Sequence, residues 1–315
     1  TDYETVRQRC VFTTHTPIPA GHDQFPAALA EQVLGKKRAA LLEKSECLPG
    51  GILNMTQLAL FFSRYVNGVA MQHGAVSRNM FPNYPIDSIT NGVHSYTWTS
   101  DSFKRLYDKY IPGWTIDSFS LRYSLGIPKQ EIWKAHLESK KVLIDFVNKE
   151  TNAGMDYDTF TIGFARRATP YKRMDLIFSD VERLRRIARE VGKIQFVFAG
   201  KAHPKDWPGK ELIKKIFAAS NQLRDDIKIA YLVNYDIEVA RMLISGVDLW
   251  LNTPQRPMEA SGTSGMKAVH NGIPNLSVLD GWWIEGHIEG ITGWSIGSKS
   301  IETGDDKDAK EIYDK

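Results

Sequence analysis

Between residues 160 and 280, short and largely apolar runs alternate with longer segments whose apolar residues recur at helical spacing. The short runs are Phe160–Phe164, Ile194–Phe198, Ile227–Val233, Val247–Leu251 and Asn275–Leu279. The segments between them, near Asp175–Glu190, Glu211–Leu223 and Ile237–Ile244, read as amphipathic helices, and another helix is expected to start near Ser261. Runs with little polar alternation mark strands covered on both faces, and strand–helix repetition marks a parallel, doubly wound α/β sheet with helices on both sides. In such sheets ligands bind in the loops beyond the carboxyl ends of the strands.

The first 150 residues follow another rhythm. Leu29–Leu42, Met55–His73 and Lys129–Lys149 look helical, and only Val11–Thr14 reads as a strand. This part is expected to be the end of a preceding domain plus a helical link rather than a sheet of its own. The charged run Gly304–Lys310 is expected to be a solvated loop or a frayed end.

Charge and composition narrow the function classes. Forty basic and 37 acidic residues leave a net charge of +3, too little for general attraction to nucleic acid or an anionic membrane. Neither is therefore an expected partner, and any anion must be held by a local cluster. The longest apolar runs are too short to span a bilayer. No signal peptide is visible, and two cysteines, Cys10 and Cys47, point to a reducing compartment such as the cytoplasm. The first residue is Thr1 rather than Met, so a piece of a longer protein is expected.

Three loops concentrate chemistry. Ala165–Arg173 carries Arg166, Arg167, Lys172 and Arg173 after a strand. Such a cluster can hold a phosphate dianion, and a solvated basic loop is the plainer alternative. Glu259–Lys267 runs from a strand into a helix through Ser261, Gly262, Thr263, Ser264 and Gly265, residues small enough for main-chain N–H groups to approach an anion. It fits neither the dinucleotide fingerprint nor the P-loop. Thr263 and Lys267 share one helical face about 6 Å apart along the axis, which suits a cofactor with a phosphate at one end and an aldehyde at the other. A tight turn with a solvent-facing lysine is the alternative. Thr13–His22 offers His15 and His22 for sugar hydroxyls, and two histidines seven apart make a weak metal signal, so no metal is expected. Tyr96, Trp98, Trp282 and Trp283 could stack on a ligand or simply fill a core. Gly200–Pro204 reads as support for the site.

The runs HTPIPAGHDQFP, ITNGVHSYTW, ARRATPYKR, FAGKAHPKD, VDLWLNTPQRPMEASGTSGMKAVHNG and SVLDGWWIEG stand in an order that resembles the α-glucan phosphorylases, most closely the shorter bacterial and archaeal branch. The resemblance runs from about Val11 to Gly297. It implies the C-terminal domain of a two-domain GT-B glycosyltransferase, with residues 1–90 ending the N-terminal glucan-binding domain and 91–315 forming most of the cofactor-binding domain. It further implies phosphorolysis of α-1,4-glucans to glucose 1-phosphate with retention, pyridoxal 5'-phosphate as cofactor, inorganic phosphate and glucan as partners, and a common homo-oligomeric state. Lys267 matches the lysine that carries the cofactor as a Schiff base. Arg166, Thr263 and the main chain of Ser264 match contacts to its phosphate, while Trp98 and Tyr235 match residues packed around it. Arg167 and Lys172 match the grip on substrate phosphate. Glu259, Ser261 and Gly262 match contacts to the reacting glucose, with His15 and Asn91 near its 6-hydroxyl and Tyr171 by its 2-hydroxyl. In the family the cofactor's phosphate relays a proton to the substrate phosphate, and cations must offset the repulsion between the two. Complete members carry a longer N-terminal domain, so the chain alone is expected to be inactive or nearly so. A nucleotide-sugar-dependent synthase and a non-catalytic glucan-binding relative are the rival readings.

Overall fold

A computed structural model describes residues 3–43, 47–297 and 304–315. The chain divides into two units. The first comprises Thr1–Asn91, Pro257–Ser261 and Asp280–Trp282, and the second Gly92–Arg256, Gly262–Leu279 and Trp283–Lys315.

The first unit is less purely helical than its sequence suggests. Its described residues hold five short strands: β1 (Val11–Thr13), β2 (Gln24–Pro26), β3 (Ile52–Asn54), β4 (Tyr65–Gly68) and β5 (Asp87–Ser88). β1, β4 and β5 form a parallel sheet in the order β1-β4-β5, and β2 pairs antiparallel with β3. The expected helix Met55–His73 is therefore three elements. Asn54 caps a short helix, Met55–Phe61, by accepting from the Thr56 and Gln57 amides at 3.0 and 3.1 Å. The chain then enters β4, where Val66 and Asn67 are buried and the Thr13 hydroxyl donates to Asn67 Oδ1 at 3.0 Å. A second helix follows at Met71–Met80. Likewise Leu29–Leu42 breaks into Ala27–Leu34 and Lys36–Glu43 at Gly35, whose φ of 81° ends the first helix.

Among its described residues the second unit has six parallel strands: β6 (Phe160–Ala165), β7 (Ile194–Ala199), β8 (Lys228–Leu232), β9 (Leu249–Asn252), β10 (Asn275–Val278) and β11 (Gly293–Ile296). Their order is β11-β10-β9-β6-β7-β8. The first five match the expected runs, while β11 is an addition that the apolar pattern did not mark. The strands β6 to β9 feed both faces. Phe164, Phe196, Phe198, Leu249 and Leu251 enter one apolar core, and Ala165, Val197, Ala199 and Trp250 enter the other. That two-sided burial is the physical cause of the apolar runs. The order of strands reverses between β6 and β9, so the loops after these two strands leave the same edge side by side, at the place where doubly wound sheets bind ligands.

The helix Lys129–Thr151 packs on one face and is pinned to the start of β9 by a buried polar triad. Asp248 accepts from His136 Nε2 at 2.7 Å, from Lys140 Nζ at 2.6 Å and from the Thr161 amide at 2.7 Å. At the C-terminus the charged run is a helix, Asp305–Asp314, not a loop. Three aspartates in its first turn favour the helix dipole, and Ala309 and Ile312 are buried in the core. Arg173 completes the docking, donating to Asp305 at 2.7 Å and Asp308 at 2.6 Å. No helix among the described residues is long and apolar enough to cross a membrane.

Candidate active site

The basic loop leaves β6 as an extension of the sheet. The Arg166 amide donates to Ala199 O and the Ala168 amide to Lys201 O, both at 3.1 Å, so the loops after β6 and β7 run together. Gly200 permits this, since a Cβ there would lie 2.1 Å from Arg166 O. Its neighbours in Gly200–Pro204 thus support the basic loop through the main chain. Arg166 and Lys172 are buried, Arg167 is exposed, and Lys172 Nζ lies 4.5 Å from the centre of the Tyr171 ring. The buried hydroxyl of Thr169, which sequence reasoning passed over, meets no hydrogen-bond partner among the described residues.

Arg173 has a different task from its three cationic neighbours. Besides the two aspartates, its guanidinium donates to Thr253 O at 2.9 Å and Pro254 O at 2.8 Å. Thr253 returns its hydroxyl to Lys172 O and Arg173 O, and the Gln255 amide donates to Tyr171 O at 2.7 Å. The loops after β6 and β9 are thereby sewn together, and Lys172 is held from the main chain.

Beyond β9 the helix Thr263–Val269 starts at Gly262, whose φ of 85° and ψ of 42° are left-handed and suit glycine. Thr263 and Lys267 lie on this one helix, as their spacing predicts. The Ser264 hydroxyl accepts from Trp250 Nε1 at 3.3 Å. Lys267 is half-buried, and its Nζ lies 3.8 Å from the centre of the Trp98 ring. Burial pulls the pKa of the amine below its ordinary value. Tyr235 and Trp98 pack against the same apolar cluster. Burial raises the Tyr235 phenol, and the nearby charge of Arg166 pulls the other way, so these two side chains are within electrostatic reach. Of the other aromatics, Tyr96 lies over Trp114 and Lys104, and Trp283 is fully buried beside His287.

The remaining candidates belong to the first unit. His15 is exposed, and the Asn91 amide donates to Val69 O at 3.0 Å. Glu259 and Ser261 are buried. The Glu259 amide donates to Asp280 Oδ2 at 2.9 Å, and Ser261 O accepts from the Trp282 amide at 2.8 Å. Asp280, within the run SVLDGWWIEG, therefore positions the Glu259 main chain. The buried Ser261 hydroxyl meets no partner among the described residues and is a ready donor or acceptor for a ligand.

The chemistry of the second unit's set is specific. A partly desolvated amine against an aromatic face can condense with an aldehyde, and buried guanidinium and ammonium groups can hold phosphate oxygens. Among the described residues no group of three or more His, Cys, Asp or Glu is placed to hold a metal ion.

Comparison with known proteins gives this arrangement its relatives. A maltodextrin phosphorylase of Thermococcus litoralis is 42% identical over 98% of the chain, which spans 41% of that protein. A glycogen phosphorylase of Aquifex aeolicus is 38% identical over 98% of the chain, here 50% of the relative. A glycogen phosphorylase of Mycobacterium tuberculosis is 35% identical over 99% of the chain and 42% of its own length. The chain thus spans 41% to 50% of the length of these three relatives. The family model for carbohydrate phosphorylases covers residues 22–291, from the first unit through the lysine helix to β10 and beyond. This chain belongs to the carbohydrate phosphorylase family.

Proposed function

We propose that this chain carries the cofactor lysine and the phosphate-binding loop of an α-glucan phosphorylase. The reaction is release of glucose 1-phosphate from α-1,4-glucan by inorganic phosphate, with retention, in a pyridoxal phosphate enzyme. The observation that carries this reading is the Lys267 amine, half-buried, 3.8 Å from the Trp98 ring and depressed in pKa by burial. A synthase acting on a nucleotide sugar has no use for such an amine.

Pyridoxal phosphate would supply an aldehyde to Lys267 and a phosphate able to give and take a proton. Arg166, Thr263 and the Ser264 main chain would hold that phosphate, with Trp98 and Tyr235 walling the ring. Arg167 and Lys172 would bind inorganic phosphate, their charges offsetting repulsion between two phosphates in one pocket. Thr169, with its buried hydroxyl, joins this set. Tyr171 and Gly262 would contact the glucose, as would Glu259, Ser261, Asn91 and His15. Two cysteines in 315 residues fit a reducing compartment.

The test is chemical. The chain is incubated with pyridoxal phosphate, reduced with borohydride, digested and mapped by mass. The label is expected on Lys267 alone and is expected to vanish in Lys267→Ala. A label spread over surface lysines, or none at Lys267, refutes the reading.

A further inference from the structure

Asn271 follows the lysine helix, in the turn that leads to β10, and is fully buried. Its amide group bonds in three directions. Oδ1 accepts from the Ser100 amide at 2.7 Å, and Nδ2 donates to Trp98 O at 2.8 Å and to Lys267 O at 3.1 Å. One side chain therefore touches the main chain of the ring-bearing residue, the residue two beyond it, and the lysine itself. The preceding residue reinforces the grip. The His270 ring pairs with the Ser95 hydroxyl and with Met266 O, each at 2.9 Å, and Tyr107 donates its hydroxyl to His270 O at 2.8 Å.

These bonds matter because the segment they hold cannot hold itself. Trp98 ends a helix of one turn, Ser95–Trp98, and a single turn has no stability of its own in water. Its place must come from tertiary ties. The ring packs against the core cluster, but a cluster contact is non-directional and tolerates sliding. The directional ties from the lysine helix to this segment run through His270 and Asn271. No other neutral side chain of this size offers one acceptor and two donors in a plane. Aspartate, its isostere, would set a carboxylate against two carbonyl oxygens.

We propose that Asn271 is a positioning residue that fixes the Trp98 ring over the Lys267 amine and so sets the geometry in which that amine meets an aldehyde. The inference rests on the reading of Lys267 as the cofactor lysine. It adds a residue outside the pocket lining, acting through its hold on the two residues that face each other there.

The experiment is a double-mutant cycle on the 315-residue chain, with the rate of pyridoxal phosphate attachment at Lys267 as its readout. Attachment forms a C=N bond with loss of one water, and borohydride adds hydride across that bond, leaving a label located by peptide mass. Asn271→Asp, Trp98→Leu and the double variant are compared with the unmodified chain, and apo melting temperatures are measured alongside. Asn271→Asp is expected to slow attachment about tenfold, and the double variant to be no slower than Trp98→Leu alone, because residues acting through one contact do not add. Should Asn271→Asp fail to fold, Asn271→Ser, which can keep part of the bonding, takes its place under the same criteria. A multiplied effect in the double variant, or an unaltered rate in the Asn271 variant, overturns the inference alone. Absence of any label at Lys267 in the unmodified chain overturns the functional reading, and the inference with it.

Discussion

His73 makes the stability of the first unit depend on pH in a direction that can be worked out. It lies in the helix Met71–Met80 at 1% exposure, with Nδ1 accepting the Val69 amide at 3.1 Å. Burial is the main cause that lowers its pKa to about 4; a main-chain bond to Thr16 opposes it, and His15 and His22 add smaller pushes downward. An unfolded chain binds this proton near pH 6.5, while the folded one resists it until about pH 4. Between those values the unfolded state carries more protons, so stability falls as pH falls and is flat above about 6.5. The loss is about 2 kcal/mol from pH 7 to 5 and about 3 kcal/mol by pH 4. Amide exchange in the helix Met71–Met80, corrected for intrinsic pH dependence, should show protection reduced roughly twentyfold at pH 5. His73→Gln keeps an acceptor for the Val69 amide but cannot titrate. Its protection should change less over that interval by the same factor. Identical pH dependence in the two proteins would refute the argument, since His73 would then charge equally easily folded and unfolded.

Other positions give sharper structural outcomes. Arg173→Ala removes a buried cation shared by two aspartates and two carbonyls, and should destabilise the second unit by about 3–5 kcal/mol. The helix Asp305–Asp314 should then exchange its amides nearly freely, and unchanged protection there would count against the staple. Asp248→Asn strands Lys140 in the interior, so a loss of similar size is expected in urea titration. Burial opposes the Asp248 carboxylate, but bonds from His136, Lys140 and the Thr161 amide outweigh it and depress its pKa. Its contribution is therefore present above about pH 4 and fades below, so the gap between the chain and Asp248→Asn should narrow in acid. Gly200→Ala places a methyl against Arg166 O. A loss of about 1–3 kcal/mol is expected, together with a smaller thermal shift from inorganic phosphate. An unaltered phosphate shift would separate Gly200 from the site.

How much of this was legible before the coordinates depends on how far apart the partners lie in sequence. The strands β6 to β10 were legible because burial on two faces writes itself into contiguous residues. β11, Gly-Trp-Ser-Ile, was not, since only Ile296 among its side chains is both apolar and fully buried. The strands of the first unit are two to four residues long, too short for any period to register. The lysine helix and the loop of cations were legible as local motifs, and Thr263 and Lys267 do share their helix.

Division of labour inside a motif was not legible. Arg166, Arg167, Lys172 and Arg173 look equivalent in sequence, four cations in eight residues. The fold separates them. Arg173 adopts φ 46° and turns its guanidinium onto the loop after β9 and onto carboxylates more than 130 residues away, which neutralises it within the protein. It cannot also serve as a free charge for a ligand. Asn271 poses the same problem, because its partners lie at residues 98, 100 and 267, and only the fold brings those together. Local pattern names the groups able to do chemistry. Which of them are free to do it is decided by hydrogen bonds to distant segments, because a buried charge or amide must satisfy itself with whatever the fold places beside it. Removing Arg173 should therefore disturb the loop after β6 through the position of its main chain rather than through loss of a charge available to a ligand.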